Sequence, residues 1–273
     1  MVFPVQQRLL RCSMTESDGL MLVAKIAAAA IIVVAASRAT ERAGPLLGAM
    51  IATLPVSAGP VYVFLALDHG AAFISESARM SVAATSATAA FVAAHALAAQ
   101  RFATPVSLAL ATLAWFTVAL ALQMRDWSFV EAFILFGGVF VVAIRGLRRY
   151  AAVLEAPPVP RARFDLALRA LLVAAVVVAT SFASHALGPA VAGVLATYPV
   201  VFTSLVVILQ PRCGGPFTSS VLVHGLKGLL GFGLALAVLH LAAARASATA
   251  ALLLALAVAV GWNAMLTLLH RRR

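Results

Sequence analysis

The residues able to do chemistry in this chain are few, and they lie inside apolar runs. Thr53 and Pro55 recur 144 residues later as Thr197 and Pro199, with Tyr198 between the second pair. A proline inside a helix removes one backbone hydrogen bond and clashes with the preceding turn. Each copy is therefore expected to kink or break its helix, freeing carbonyl groups that need partners in lipid. The nearby hydroxyls can serve those carbonyls or a polar ligand. The competing reading is a packing kink, since membrane helices tolerate proline and small residues such as Gly48 and Gly193 allow helices to approach closely.

A second group is His224 and Lys227. Lys227 lies ten residues after Phe217, about 15 Å along a helix. A lysine at the bilayer centre costs about 2.5–3.5 kcal/mol, so Lys227 is expected to face a cavity or a partner, against the alternative of snorkelling to an interface. With His224 one turn away it would favour an anionic ligand, and His224 could carry a coupling proton. Glu76 and Arg79 are three apart and share a helix face, which suits an ion pair near an interface. Glu131 is the one acid of its span, either a surface group or a proton carrier. Lys25 and Arg169 are expected to snorkel to opposite surfaces, and His95 and His240 to be solvated or capping.

Long apolar helices must position these groups. Hydrophobic residues make up 63% of the 273, charged residues 11%, and mean hydropathy is +1.04, whereas soluble domains are about half apolar and a quarter charged. Nine stretches reach the roughly 20 residues that a helical span needs: 19–37, 44–67, 73–98, 103–122, 127–145, 164–184, 188–210, 216–241 and 249–269. The ten-residue alternation of a membrane barrel is missing. The expected fold is all-α, a polytopic helical membrane protein.

Superposing 24–73 on 168–217 without gaps gives 16 identities in 50 positions, and self-similarity at one offset marks a repeat. The expected organisation is a polar segment 1–18, a first four-span repeat 19–122, a linker span and loop 123–163, and a second four-span repeat 164–273. Four spans return the chain to its starting side, so the added linker span inverts the second unit. Inverted repeats with interrupted helices at their midplane are a transporter architecture. Sorted by nine spans, the loops of one set carry twelve arginines, among them Arg38, Arg101, Arg148, Arg212 and Arg273, against Arg8, Arg11, Arg125 and Arg245 in the other. Positive charge marks the cytoplasmic side, which sets the C-terminus in the cytoplasm and the N-terminus outside an inner membrane.

Gly48 to Pro55, the turn Asp68-His69-Gly70, and then Glu76 and Arg79 form a pattern that resembles the GlpM-like small inner-membrane proteins. The second half keeps the proline helix and the turn but has Ser220 and Val223 where Glu76 and Arg79 would map. The resemblance implies two such four-span units fused through a linker helix.

The net charge of +11 is spread over short loops and forms no aromatic-studded patch, so no nucleic-acid partner is expected. No H-E-x-x-H, G-x-S-x-G, paired cysteines or phosphate-binding loop occurs. No catalytic residue, metal ligand set or cofactor is expected, and the chain is not read as an enzyme. The expected function is a small secondary transporter or permease, its pathway passing Thr53, Pro55, Thr197, Tyr198, Pro199, His224 and Lys227 between the halves. Its partners would be the bilayer and a small-molecule or ion substrate. The alternative is a non-transporting scaffold or assembly component of an envelope complex.

Overall fold

The computed structural model describes residues 23–32, 34–35, 58–151 and 163–271. Thr53, Pro55 and Gly48 lie outside the described residues. The described elements are helices, in chain order α1 (Val23–Ile32), α2 (Ala58–Asp68), α3 (Ala71–Ala98), α4 (Thr104–Gln123), α5 (Phe129–Gly146), α6 (Arg163–Ala186), α7 (Pro189–Ala196), α8 (Val200–Ala243) and α9 (Ala248–Arg271), with a 3-10 turn at Arg148–Tyr150 after α5.

Local chemistry starts several of them. Pro105 and Pro189 sit in the first turns of α4 and α7, where a missing N–H costs nothing. Ser128 and Glu131 form a capping box at the start of α5, each side chain meeting a backbone N–H that the first turn leaves unpaired.

Among the described residues, six helical stretches are long and apolar enough to cross a membrane. The chain is a multi-pass integral membrane protein. The predicted spans 73–98, 103–122, 127–145, 164–184 and 249–269 each fall on one helix. Those at 188–210 and 216–241 fall within one 55-residue stretch, Pro189–Ala243, which is far too long for one crossing at about 1.5 Å per residue. Gly214 divides it, with φ of 81°, a left-handed conformation natural to glycine. Beyond it the chain doubles back, for a Cβ on Gly225 would stand 2.8 Å from the ring of Phe202. The spans 19–37 and 44–67 extend outside the described residues, and α1 and α2 are their described parts.

α3 is the centre of the molecule. It is the least apolar of the candidate spans and the most enclosed, because its bulk is alanine and its polarity is hydroxyl. Ser75, Ser77, Ser81, Thr85, Ser86 and Thr88 are all buried. α7 and the first arm of α8 run beside it in the same direction, through contacts of Ser81 with Gly193, Thr88 with Thr197, and His95 with Gln210. The second arm returns antiparallel, from Gly215 against Ala99 to His240 against Ser75. α4 and α5 close other sides of α3, and α9 packs on α8. Leu110, Leu113, Phe116 and Leu120 of α4, Ile134 and Val142 of α5, and Leu253 and Leu268 of α9 point outward, as a lipid-facing surface requires.

Two histidines expected to be solvated or capping, the buried His95 and the half-buried His240, are instead each bonded to another helix. His95 is completely enclosed and meets Gln210 Oε1 at 3.1 Å, an oxygen that also accepts from Ser107 at 2.8 Å. His240 stacks on Phe129 and donates from Nδ1 to the Ser75 carbonyl at 2.8 Å. Each serves a helix junction, where a buried polar group must be paired.

Backbone comes nearest to backbone at two glycines. A Cβ on Gly215 would lie 1.8 Å from the Ala99 carbonyl oxygen, and one on Gly193 2.2 Å from that of Ser77. Gly215→Ala should destabilise the detergent-solubilised protein by about 1–3 kcal/mol or more. Gly137→Ala, with nothing within 4 Å, should leave the melting temperature unchanged within error.

Candidate functional site

The helix that begins at Pro189 ends at Ala196, and the next begins at Val200. Pro199 has no N–H to extend the ladder, and its ψ of 62° turns the chain between the two. The predicted break at the second proline is therefore present. By helical rise it falls about 15 Å from Pro189 and about 21 Å from Cys213, well inside the stretch between the two.

Several of the carbonyls released there are met by new donors. Gly193 O accepts from Ser81 Oγ at 2.5 Å, and Ser81 also meets the hydroxyl of Tyr62 at 2.5 Å. Val194 O accepts from both Thr197 N at 3.0 Å and Thr197 Oγ1 at 2.7 Å. Thr197 O accepts from Thr88 Oγ1 at 3.3 Å. Tyr198 O accepts from Val200 N at 2.8 Å. The Tyr198 ring stands edge-on to Trp115, centroids 5.1 Å apart, and its hydroxyl accepts from Thr203 at 3.4 Å. Trp115 is wholly buried, and its Nε1 has no partner among the described residues. Ser77 and Ser86 likewise carry hydroxyls without a partner among the described residues. A broken helix, a wall of hydroxyls and an indole thus occupy one region of the interior.

Of the predicted site residues, the fold brings together Thr197, Tyr198 and Pro199. His224 and Lys227 stand apart on the exposed side of the second arm. His224 Nδ1 donates to Ser220 O one turn back, and the Lys227 carbonyl accepts from Trp262 Nε1 at 2.9 Å. No ion pair to Lys227 occurs among the described residues. Glu76 and Arg79 do pair, with Nε to Oε2 at 3.0 Å. Glu131 pairs with Arg125 and completes the cap on Ser128. Sequence reasoning singled out none of Ser81, Thr88, Trp115 or Tyr62 as site residues, although the density of Ser and Thr along 75–88 was a visible signal.

A separate polar cluster lies at the end of the molecule where α2 turns into α3. Lys25, expected to snorkel, is instead buried, and its Nζ donates to both oxygens of Asp68 at 2.6 and 2.5 Å. The next residue, His69, stacks on Phe73 at 3.9 Å and faces His185 at 5.0 Å between ring centroids. Burial, then the neighbouring His185, holds the His69 imidazole below its ordinary range; Asp68 acts against this and Lys25 with it.

No family model, curated protein or solved structure matches the chain.

Removing the Thr88 hydroxyl leaves a carbonyl of the break without its donor. Thr88→Val should lower stability by about 1–3 kcal/mol, read as a fall in the thermal midpoint in detergent. Thr117→Val, on a side chain exposed to the surroundings, should change it little.

Proposed function

We propose that this membrane protein is a small secondary transporter built from two four-helix units of opposite orientation, with α5 as the linker between them. The observation that carries the reading is the helix interrupted at Thr197–Pro199, facing the hydroxyls of α3. Transporter sites are typically formed by such discontinuous helices near the midplane. In this reading Thr197, Tyr198 and Pro199 line the pathway, and Thr53 and Pro55 supply its counterpart from the first unit. His224 and Lys227 form a second polar station on α8 that favours an anion. Each unit corresponds to one GlpM-like four-span protein, set in the inner membrane with the N-terminus outside.

Pairs of contacts 144 residues apart support the two-fold relation. Ser75 donates to the carbonyl of His240 at one end of α3. At the other end Gln100 donates to Ser219 and to the carbonyl of Ala96, the counterparts of Ser75 and His240 at that offset. Asp68 pairs with Lys25 in α1; at the equivalent position Arg212 pairs with Asp165 in α6, one turn from Arg169, the residue equivalent to Lys25. The charges are exchanged, but the bridge between corresponding helices is kept.

One observation favours the alternative, a membrane scaffold or assembly component in which the break serves packing alone. The carbonyls at Gly193, Val194 and Thr197 already have intramolecular donors. Flux separates the two readings. Proteoliposomes carrying the purified protein should move a member of a pooled set of small organic and inorganic anions under a proton or sodium gradient. Thr197→Ala and Lys227→Ala should cut the initial rate at least about fivefold, roughly 1 kcal/mol. An absence of flux for every pool would leave the scaffold standing.

The orientation has its own measurement. In a chain carrying Cys12→Ser and His69→Cys, an impermeant thiol reagent applied to intact cells should label position 69 and spare Cys213. Labelling of both from the same side would refute the inverted arrangement.

A further inference from the structure

We propose that Asp68, His69 and His185 form a binding site for one divalent transition-metal ion of the zinc type, and that the ion competes with Lys25 for the Asp68 carboxylate. The site is separate from the interrupted helix and does not rest on the transport reading. Taking one ligand atom from each of the three residues, all lie within 4.8 Å of one another. A tetrahedral zinc with bonds of about 2.0–2.1 Å holds its ligand atoms about 3.3 Å apart. The remaining gap is within the swing of the His185 side chain, which is exposed.

Both imidazoles are prepared for the role. His185 Nδ1 lies 2.9 Å from the carbonyl oxygen of Ser181. A carbonyl only accepts, so Nδ1 carries the proton and Nε2 keeps its lone pair. This outward bond to a carbonyl is the one that metal-bound histidines usually make, fixing tautomer and ring orientation. His69 presents the complementary feature. Its Nε2 is buried and has no hydrogen-bond partner among the described residues, while stacking on Phe73, with 11° between the rings, fixes the plane of its imidazole. Burying a polar nitrogen with no partner is costly, and a metal ion would use it.

Two imidazole nitrogens and one carboxylate oxygen suit zinc and its neighbours rather than magnesium or calcium, which take oxygen. Three protein ligands leave a fourth position for water or another donor. Lys25 sets the condition for entry. Its ammonium occupies both Asp68 oxygens, and a dication on the same carboxylate would repel it at close range. Binding therefore releases Lys25, so the ion and the tether between α1 and the α2–α3 turn are alternatives.

The probe is Zn2+ alone, titrated into the purified full chain in detergent, without a polyhistidine tag, against a chromophoric zinc indicator. One ion per chain is expected. His69→Ala and His185→Ala should each weaken binding at least about tenfold, and Lys25→Gln, which keeps a hydrogen-bond donor but removes the charge, should tighten it about tenfold. A gain in affinity cannot come from a chain that fails to fold, so Lys25→Gln decides the matter if the histidine variants are unstable. Affinity unchanged by either histidine substitution, or unchanged or weakened in Lys25→Gln, would overturn the proposal.

Discussion

A helix cannot be broken inside a membrane unless something else receives the backbone groups it gives up. That requirement organises this molecule. Pro199 ends one helix and admits another, and the carbonyls left near the break are met by Thr197 itself and by Ser81 and Thr88 of α3. The donors are short, so they act only when α3 lies almost against the broken segment. Gly193 makes that approach possible, since any side chain there would collide with the carbonyl of Ser77. Proline, glycine and hydroxyl are thus one device distributed over two helices far apart in sequence.

The same logic explains an inversion in the distribution of polarity. In water the least apolar helix would be the outermost. Here the least apolar candidate span is α3, and it is the one most enclosed by protein. Leucine and phenylalanine are turned outward on α4, α5 and α9, where hydrocarbon is the solvent. Alanine and serine fill the interior because small side chains bring backbones close enough for dispersion and hydrogen bonding to hold helices together where lipid provides no hydrophobic drive.

Much of this could be read from the residues alone. The apolar runs located α3, α4, α5, α6 and α9 to within a few residues, since length and hydropathy are local properties. Pro199 announced its break, and the gap between the apolar runs 188–210 and 216–241 marked the reversal between two arms. What local reading missed were partners. Lys25 looked like a snorkelling anchor because Asp68 is 43 residues away and belongs to a turn. His95 looked terminal, yet Gln210 and Ser107 enclose it. The juxtaposition of His69 with His185 has no spacing to betray it, because it depends on two turns meeting at one end of a bundle. The hydroxyls of α3 were visible as a series, but their use depended on which helix lay opposite.

The hydrogen bond from Ser81 to Gly193 spans 112 residues, and this has a consequence for how the protein is made. α3 leaves the ribosome long before the helices that will enclose it. At that moment its serines and threonines have few partners beyond their own preceding turns, as Thr85 has in Ser81 O, and the Tyr62 hydroxyl that meets Ser81. A span of this composition is among the weakest of the six to enter lipid by itself, and it becomes a stable resident once α7 and the two arms of α8 arrive. Synthesis of the second half is then also the completion of the first.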